Sequence, residues 1–291
     1  MKKIKGFFTI LGVIFFVMVV LSFMKKFLSS DFPTRESIGI VKVEGAINNS
    51  SKYLKLLEKL EKNKSIKAIV LRVNSPGGVV GACQEIHDKV REISKKKPIV
   101  VSMGSVAASG GLYISLPATK IVANPGTITG SIGVIIQSFN FKALAEKIGI
   151  KVVTVKSGKF KDLLNPFKDV NEESLKILQS LIDDSYDQFV EAVSKDRNIP
   201  IEKVKSFADG RVFTGRQAKA LGLVDELGNI DKAIEIAKKL SNSPNAKVFE
   251  IKEKKDFLGR ILEGEVLSPV KELLNVLTKE PESMKLMYLL I

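Results

Sequence analysis

The chain has 291 residues, 45% of them hydrophobic, and a mean hydropathy of +0.11, enough apolar content for a substantial core. Its net charge of +14 rests overwhelmingly on lysine, since arginine occurs only at Arg35, Arg72, Arg91, Arg197, Arg211, Arg216 and Arg260. There is no tryptophan, tyrosine is scarce and no basic run is interleaved with aromatics. The planar forks and stacking rings of nucleic-acid readers are therefore missing, no nucleic-acid partner is expected, and the charge reads as a solvated surface suited to acidic lipid headgroups.

The first six residues carry three lysines, and Phe7–Met24 then runs without a charge, just long enough to cross a bilayer core. The run ends in Phe-Met-Lys-Lys rather than at a small-x-small cleavage site, so an uncleaved membrane anchor over 1–26 is expected, with the bulk of the chain outside. Residues 27–36 have no period and contain Pro33, as a short stalk would. An α/β pattern follows. Strands are predicted at Ile38–Ile47, Ile66–Asn74, Pro98–Met103 and Ile121–Ala123, with helices near Lys52–Glu61 and Val80–Ser94. Alternating β-branched runs and helices point to a mostly parallel sheet with helices packed on it. After Gly133 a short strand, a helix (Phe141–Ile148) and a strand at Lys151–Val155 are predicted. A long helix from about Glu172 to Lys195 comes next, with Asn171 as its N-cap. Helices near Gly215–Leu221 and Asn229–Leu240 and a strand at Ala246–Ile251 close a single domain over 37–251. The tail, 252–291, is charged, then amphipathic, and ends in an apolar cluster, MKLMYLLI. That end, Met287–Ile291, is expected either in a neighbouring subunit's cleft as a product-like segment or packed on the membrane.

Two glycine-flanked turns carry the chemistry. In Val100–Tyr113, strand residues give way to Gly104, Ser105, Ala107, Ala108, Ser109, Gly110 and Gly111, which sets Ser109 at a sharp turn before a helix start. Backbone N–H groups after such a turn face whatever meets the serine, as an oxyanion hole requires. Asn74-Ser75-Pro76-Gly77-Gly78 lies at the carboxyl end of the second strand, where ligands of open α/β sheets bind; no Gly-Lys-Ser/Thr follows, so it is not a phosphate loop. Together the turns suggest acyl chemistry, with Gly110 and Gly78 supplying the two N–H donors. A serine nucleophile needs a base. The only histidine, His87, reads as mid-helix, and the only cysteine, Cys83, as a small core residue that can form no internal disulfide or cysteine-rich metal site. Lysine is the natural candidate. Its pKa must fall from about 10.4 to about 7–8, at roughly 3–5 kcal/mol, through burial among hydroxyl groups. Lys156, Lys159 and Lys161, in VKSGKFKD, are the candidates, and the residues alone do not choose among them. The Ser94-x-x-Lys97 pair lies in a solvated lysine run and is coincidental.

NSPGG (Asn74–Gly78), GSVAASGGLY (Gly104–Tyr113), GSIGV (Gly130–Val134), SGKFKD (Ser157–Asp162) and DGRVFTGRQAKALGLVDELG (Asp209–Gly228) occur in this order across about 36–240. In this set the chain resembles the short form of signal peptide peptidase A, membrane-anchored serine proteases of the Clp protease/crotonase fold. The resemblance implies repeated ββα units with a mostly parallel sheet, preceded by one transmembrane helix. It implies Ser109 as nucleophile, Lys161 as general base, Ser131 as the serine that orients the lysine amine, and Gly78 and Gly110 as oxyanion donors, with no metal or other cofactor. Clp proteases carry a histidine where Val134 stands here, and that departure favours a Ser–Lys pair. The resemblance further implies a homo-oligomer in which each subunit alone has only part of a cleft. The expected substrates are remnants of signal peptides and other apolar peptides, cut on the extracytoplasmic side of a plasma membrane. Three alternatives compete: a crotonase-type acyl-thioester enzyme, a stomatin-partner type membrane protease, and an inactive membrane scaffold that keeps the fold.

Overall fold

The computed structural model describes residues 33–251 and the strand at 287–289. The expected anchor, most of the stalk and most of the tail lie outside the described residues. Among the described residues no helix is long and apolar enough to cross a membrane.

The centre of the molecule is an eight-stranded sheet. It is built on β1 (Ser37–Glu44), β2 (Ile66–Ser75) and β4 (Ile99–Ala108), paired in parallel with Val41 opposite Leu71 and Val70 opposite Val100. These three strands are the β-branched runs of the sequence, and both faces of each are buried over most of their length, which explains why they read as continuous rather than alternating. The edge of β4 is shared. Its first half pairs with β5 (Lys120–Ala123) and its last three residues with β6 (Ile128–Gly130), both in parallel. β7 (Val212–Thr214) adds antiparallel to β6, β8 (Glu226–Leu227) adds to β5, and β9 (Lys247–Glu250) closes the far edge against β1.

On one face, α1 (Ser51–Lys62), α2 (Val80–Ser94) and the long α5 (Glu172–Arg197) bury Leu57, Leu60, Ile86, Val90, Phe189 and Val193 against the sheet. On the other, α8 (Ile230–Leu240) lays Ala233 and Ala237 on Ile38, Val70 and Val100, small residues that let helix and sheet approach closely. Asn171 caps α5 through the Ser174 amide at 2.8 Å, and Glu172 and Glu173 complement its positive end. After the short α6 (Ile201–Lys205), α7 (Gly215–Leu221) starts at a Thr214–Gln217 capping box and stops at Gly222 in the left-handed region. Asp225, from the GLVDELG stretch, takes the Ile121 amide at 2.8 Å and pairs with Lys120 and Arg197, which ties β5 to the end of α5.

The mostly parallel α/β sheet matches the expected fold class, with differences at the joints. The small residues Gly104–Ala108, beyond the end of the predicted strand at Met103, continue β4 up to the turn at Ser109. SPGG holds a short strand, β3 (Gly77–Val79), because Met287–Leu289 pairs along it, while Ile47 bridges its other edge (Ile47 N–H to Gly77 O, Val79 N–H to Ile47 O, each 2.8 Å). The helix expected at Phe141–Ile148 is α4 (Lys142–Lys147). The strand expected at Lys151–Val155 is absent: those residues make no ladder, and Val153 and Val155 are 85% and 94% exposed. Their β-branched character finds no sheet edge within the described residues, and strand propensity without a neighbour does not make a strand.

Candidate active site

β4 ends at Ala108, whose register partner on β6 is Gly130. The next residue on each strand is a serine, and both serines turn into the left-handed region, Ser109 at φ 52° and Ser131 at φ 51°. That conformation is disfavoured for an L-residue by about 1–2 kcal/mol, so the surroundings must enforce it. They do so through the backbone. The Ser109 amide donates to the Gly130 carbonyl and the Ser131 amide to the Arg211 carbonyl, each at 2.8 Å. The second of these bonds gives the DGRV stretch a physical role as the brace of the Ser131 turn. Asp209 and Arg211 lock that brace with a side-chain ion pair, Arg211 Nε to Asp209 Oδ1 at 2.7 Å, which holds the Asp209 carboxyl down at about 2.

Ser109 caps the short α3 (Gly110–Tyr113), and the Tyr113 amide returns to its carbonyl at 2.9 Å. Its hydroxyl is fully buried and has no hydrogen-bond partner among the described residues. An orphaned buried hydroxyl costs about 1–3 kcal/mol, and such groups cluster where chemistry uses them. Beside it the two glycine turns meet: a Cβ added at Gly110 would lie 3.0 Å from the Gly78 nitrogen and 3.1 Å from the Gly77 Cα, so only glycine permits this approach. Gly78 is hemmed in on its other side by the Ile47 carbonyl. Since Ile47 occupies the Gly77 carbonyl and the Val79 amide, the Gly78 N–H and C=O face the opposite edge.

That edge carries a strand. β10 (Met287–Leu289) runs antiparallel to β3, with Tyr288 opposite Gly78 and Leu289 opposite Gly77, and lies against α2 and α3. The apolar C-terminus was expected in a neighbour's cleft or on the membrane; its last strand instead pairs within the same chain.

The structure therefore brings Ser109, Gly110, Gly78 and, on the adjoining strand end, Ser131 into one region. Lys161 is different. It is exposed, its amine has no hydrogen-bond or ion-pair partner among the described residues, and the unpartnered Ser109 hydroxyl shows that the two are not in hydrogen-bond contact within one chain. The desolvated amine that the base requires is therefore not formed in a single copy. The neighbouring lysines sharpen the choice that the sequence left open. Lys156 pairs with Asp162 at 2.5 Å, Lys168 joins it at 2.9 Å, and these hydrogen bonds hold Asp162 down at about 2, while Lys159 pairs with Glu173. Lys161 is the lysine of that trio left without a carboxylate.

A cavity of about 520 Å³ opens beside Ser131, lined by Val134, Ile135, Ile182, Tyr186 and Asp183. No local pattern announces it, because it forms where α5, the loop after β6 and the Ala208–Gly210 segment come together.

Peptidase family S49 matches residues 91–243, more than half the chain, and the Clp protease family matches 35–127. A putative protease of Synechocystis sp. is 44% identical over 80% of this chain and 85% of its own length. A putative signal peptide peptidase SppA of Enterococcus faecium is 41% identical over 70% of this chain and 60% of its own. Protease 4 of Haemophilus influenzae is 37% identical over 70% of this chain but only 35% of its own, much longer, length. With the motif order, the parallel sheet and these matches in agreement, the chain belongs to peptidase family S49, the signal peptide peptidase A family, and is a serine peptidase.

Proposed function

We propose that this chain is a membrane-anchored endopeptidase that cuts cleaved signal peptides and similar apolar peptides with a Ser109–Lys161 pair. The observation that carries the reading is the buried Ser109 hydroxyl, unpartnered among the described residues, at a forced backbone turn next to the close Gly110–Gly78 approach. In the reaction, the Ser109 oxygen attacks the scissile carbonyl carbon and its proton passes to the neutral Lys161 amine. The Gly78 and Gly110 N–H groups hold the oxyanion. Collapse breaks the C–N bond, and the lysine ammonium gives its proton to the leaving amine. Water, relieved of a proton by the same lysine, then attacks the acyl-serine, and the serine recovers its hydrogen. Ser131, on the strand end beside Ser109, would orient the amine.

Substrate enters as a strand. The antiparallel pairing of β10 on Gly77–Val79 supports an extended peptide bound by main-chain hydrogen bonds, as β-augmentation sites do. A glycine-lined wall with no charged partner suits small or apolar side chains, in keeping with the name of the Enterococcus faecium relative. The exposed Lys161 supports a homo-oligomer in which one copy's lysine reaches another copy's serine. The arm that carries it leaves Phe139, Ile150, Val153 and Val155 exposed, an apolar surface suited to a second copy. The uncharged run Phe7–Met24 supports an anchor in the plasma membrane with the peptidase domain outside.

The test is labelling by a fluorophosphonate together with peptide cleavage. Both are expected in the full chain and both are lost in Ser109→Ala, while Lys161→Ala keeps its fold and loses cleavage. Full activity in Lys161→Ala would remove the lysine from the mechanism. A crotonase-type thioester enzyme would not take the label.

A further inference from the structure

Two amides form an oxyanion hole only while their separation is held. Gly78 lies two residues before α2 and Gly110 opens α3, so the way α2 packs on α3 sets the distance between them. Two side chains of α2, one turn apart, face α3. Cys83 is fully buried directly beneath Gly110: a Cβ added there would lie 2.5 Å from its sulfur. Burial pushes the thiol up to about 12, so it stays neutral and acts through its volume. His87, four residues on and 2% exposed, brings its ring to 4.6 Å, centroid to centroid, from Tyr113 at the other end of α3. Tyr113 is held from its far side by Phe189 of α5, edge-on at 5.0 Å.

The imidazole is itself anchored. Its Nε2 lies 2.7 Å from Asp196 Oδ2 on α5, Arg91 donates to the other Asp196 oxygen at 2.8 Å, and Nδ1 faces Asp88 Oδ1 at 3.2 Å. A histidine so engaged is not free to serve the Ser109 hydroxyl, which has no partner.

We propose that Cys83 and His87 are positioning residues for peptide hydrolysis, spacing the Gly78 and Gly110 amides by packing α2 against Gly110 and Tyr113. This rests on Ser109 being the nucleophile, and fluorophosphonate labelling of the unaltered protein checks that first; a missing label overturns the nucleophile reading, whatever the variants do. With the label in place, His87→Ala is expected to lower kcat about 10- to 100-fold at nearly constant KM. It also weakens, by a similar factor, a peptide aldehyde whose tetrahedral oxygen occupies the hole. His87→Phe, which keeps a ring against Tyr113, recovers most of both. Cys83→Val, which adds bulk beneath Gly110, lowers kcat and aldehyde affinity together, and it carries the test should His87→Ala not fold. Unchanged kcat per folded molecule, or losses that follow the melting temperature while aldehyde affinity stays fixed, would overturn the proposal.

Discussion

At Ser109 the backbone does something that side-chain preference alone would not choose. A non-glycine residue in the left-handed region, with its hydroxyl buried and unpaired among the described residues, carries two separate penalties, and the bond from the Ser109 amide to the Gly130 carbonyl holds the first in place. Asp196 makes a second argument at this scale. Burial works to raise its carboxyl, but hydrogen bonds and charge from His87 and Arg91 outweigh it and leave the group below its ordinary value. A carboxyl lowered in the folded state adds stability above its unfolded value of about 3.9, and that stability drains away as pH falls through the folded value. Urea titrations across roughly pH 5 to 3 should therefore show the native chain losing stability more steeply than Asp196→Asn. Equal slopes would mean that the carboxylate is not stabilised by its partners.

Among the elements, β10 has the most direct consequence. Three residues from the end of the chain pair with the glycine strand where an extended substrate is proposed to lie. A strand tethered in the same chain competes at an effective concentration that free peptide must overcome. Deleting Lys285–Ile291 is expected to lower the apparent KM for peptide severalfold with little change in kcat. An unchanged KM would show that the pairing does not obstruct the site. α5 works at the same scale in another way. It spans the sheet face, presents Phe189 to the core and Asp196 to His87, and so joins the helix after Ser109 to the rest of the fold. Phe189→Ala should cost about 3–5 kcal/mol in unfolding measurements, as large core truncations do.

For the whole molecule, the separation of Ser109 from an exposed Lys161 is the feature on which the proposed assembly rests. If the pair is completed between copies, two inactive proteins should rescue each other. Mixing Ser109→Ala with Lys161→Ala under conditions of subunit exchange is expected to restore part of the cleavage, since some interfaces then hold an intact serine facing an intact lysine. Mixtures as inactive as their components, with exchange demonstrated, would argue for a pair formed inside one chain.

Local pattern determined most of the scaffold. The β-branched runs gave β1, β2 and the first half of β4, the 3.6-residue period gave α2, α5, α7 and α8, and Asn171 declared its cap, because each of these signals is written in neighbouring residues. The two glycine-flanked stretches stood out for the same reason, and the order of the motifs around them carried the peptidase family. Tertiary structure decided what depends on distant partners. It continued β4 through Gly104–Ala108 because β6 lay alongside, and made a strand of Gly77–Val79 because Met287–Leu289 paired with it. It left Lys151–Val155 unpaired because no edge was near, and set His87 against Asp196, 109 residues away. A strand needs a neighbour and a buried charge needs a counter-charge, and neither requirement can be read from a residue and those beside it.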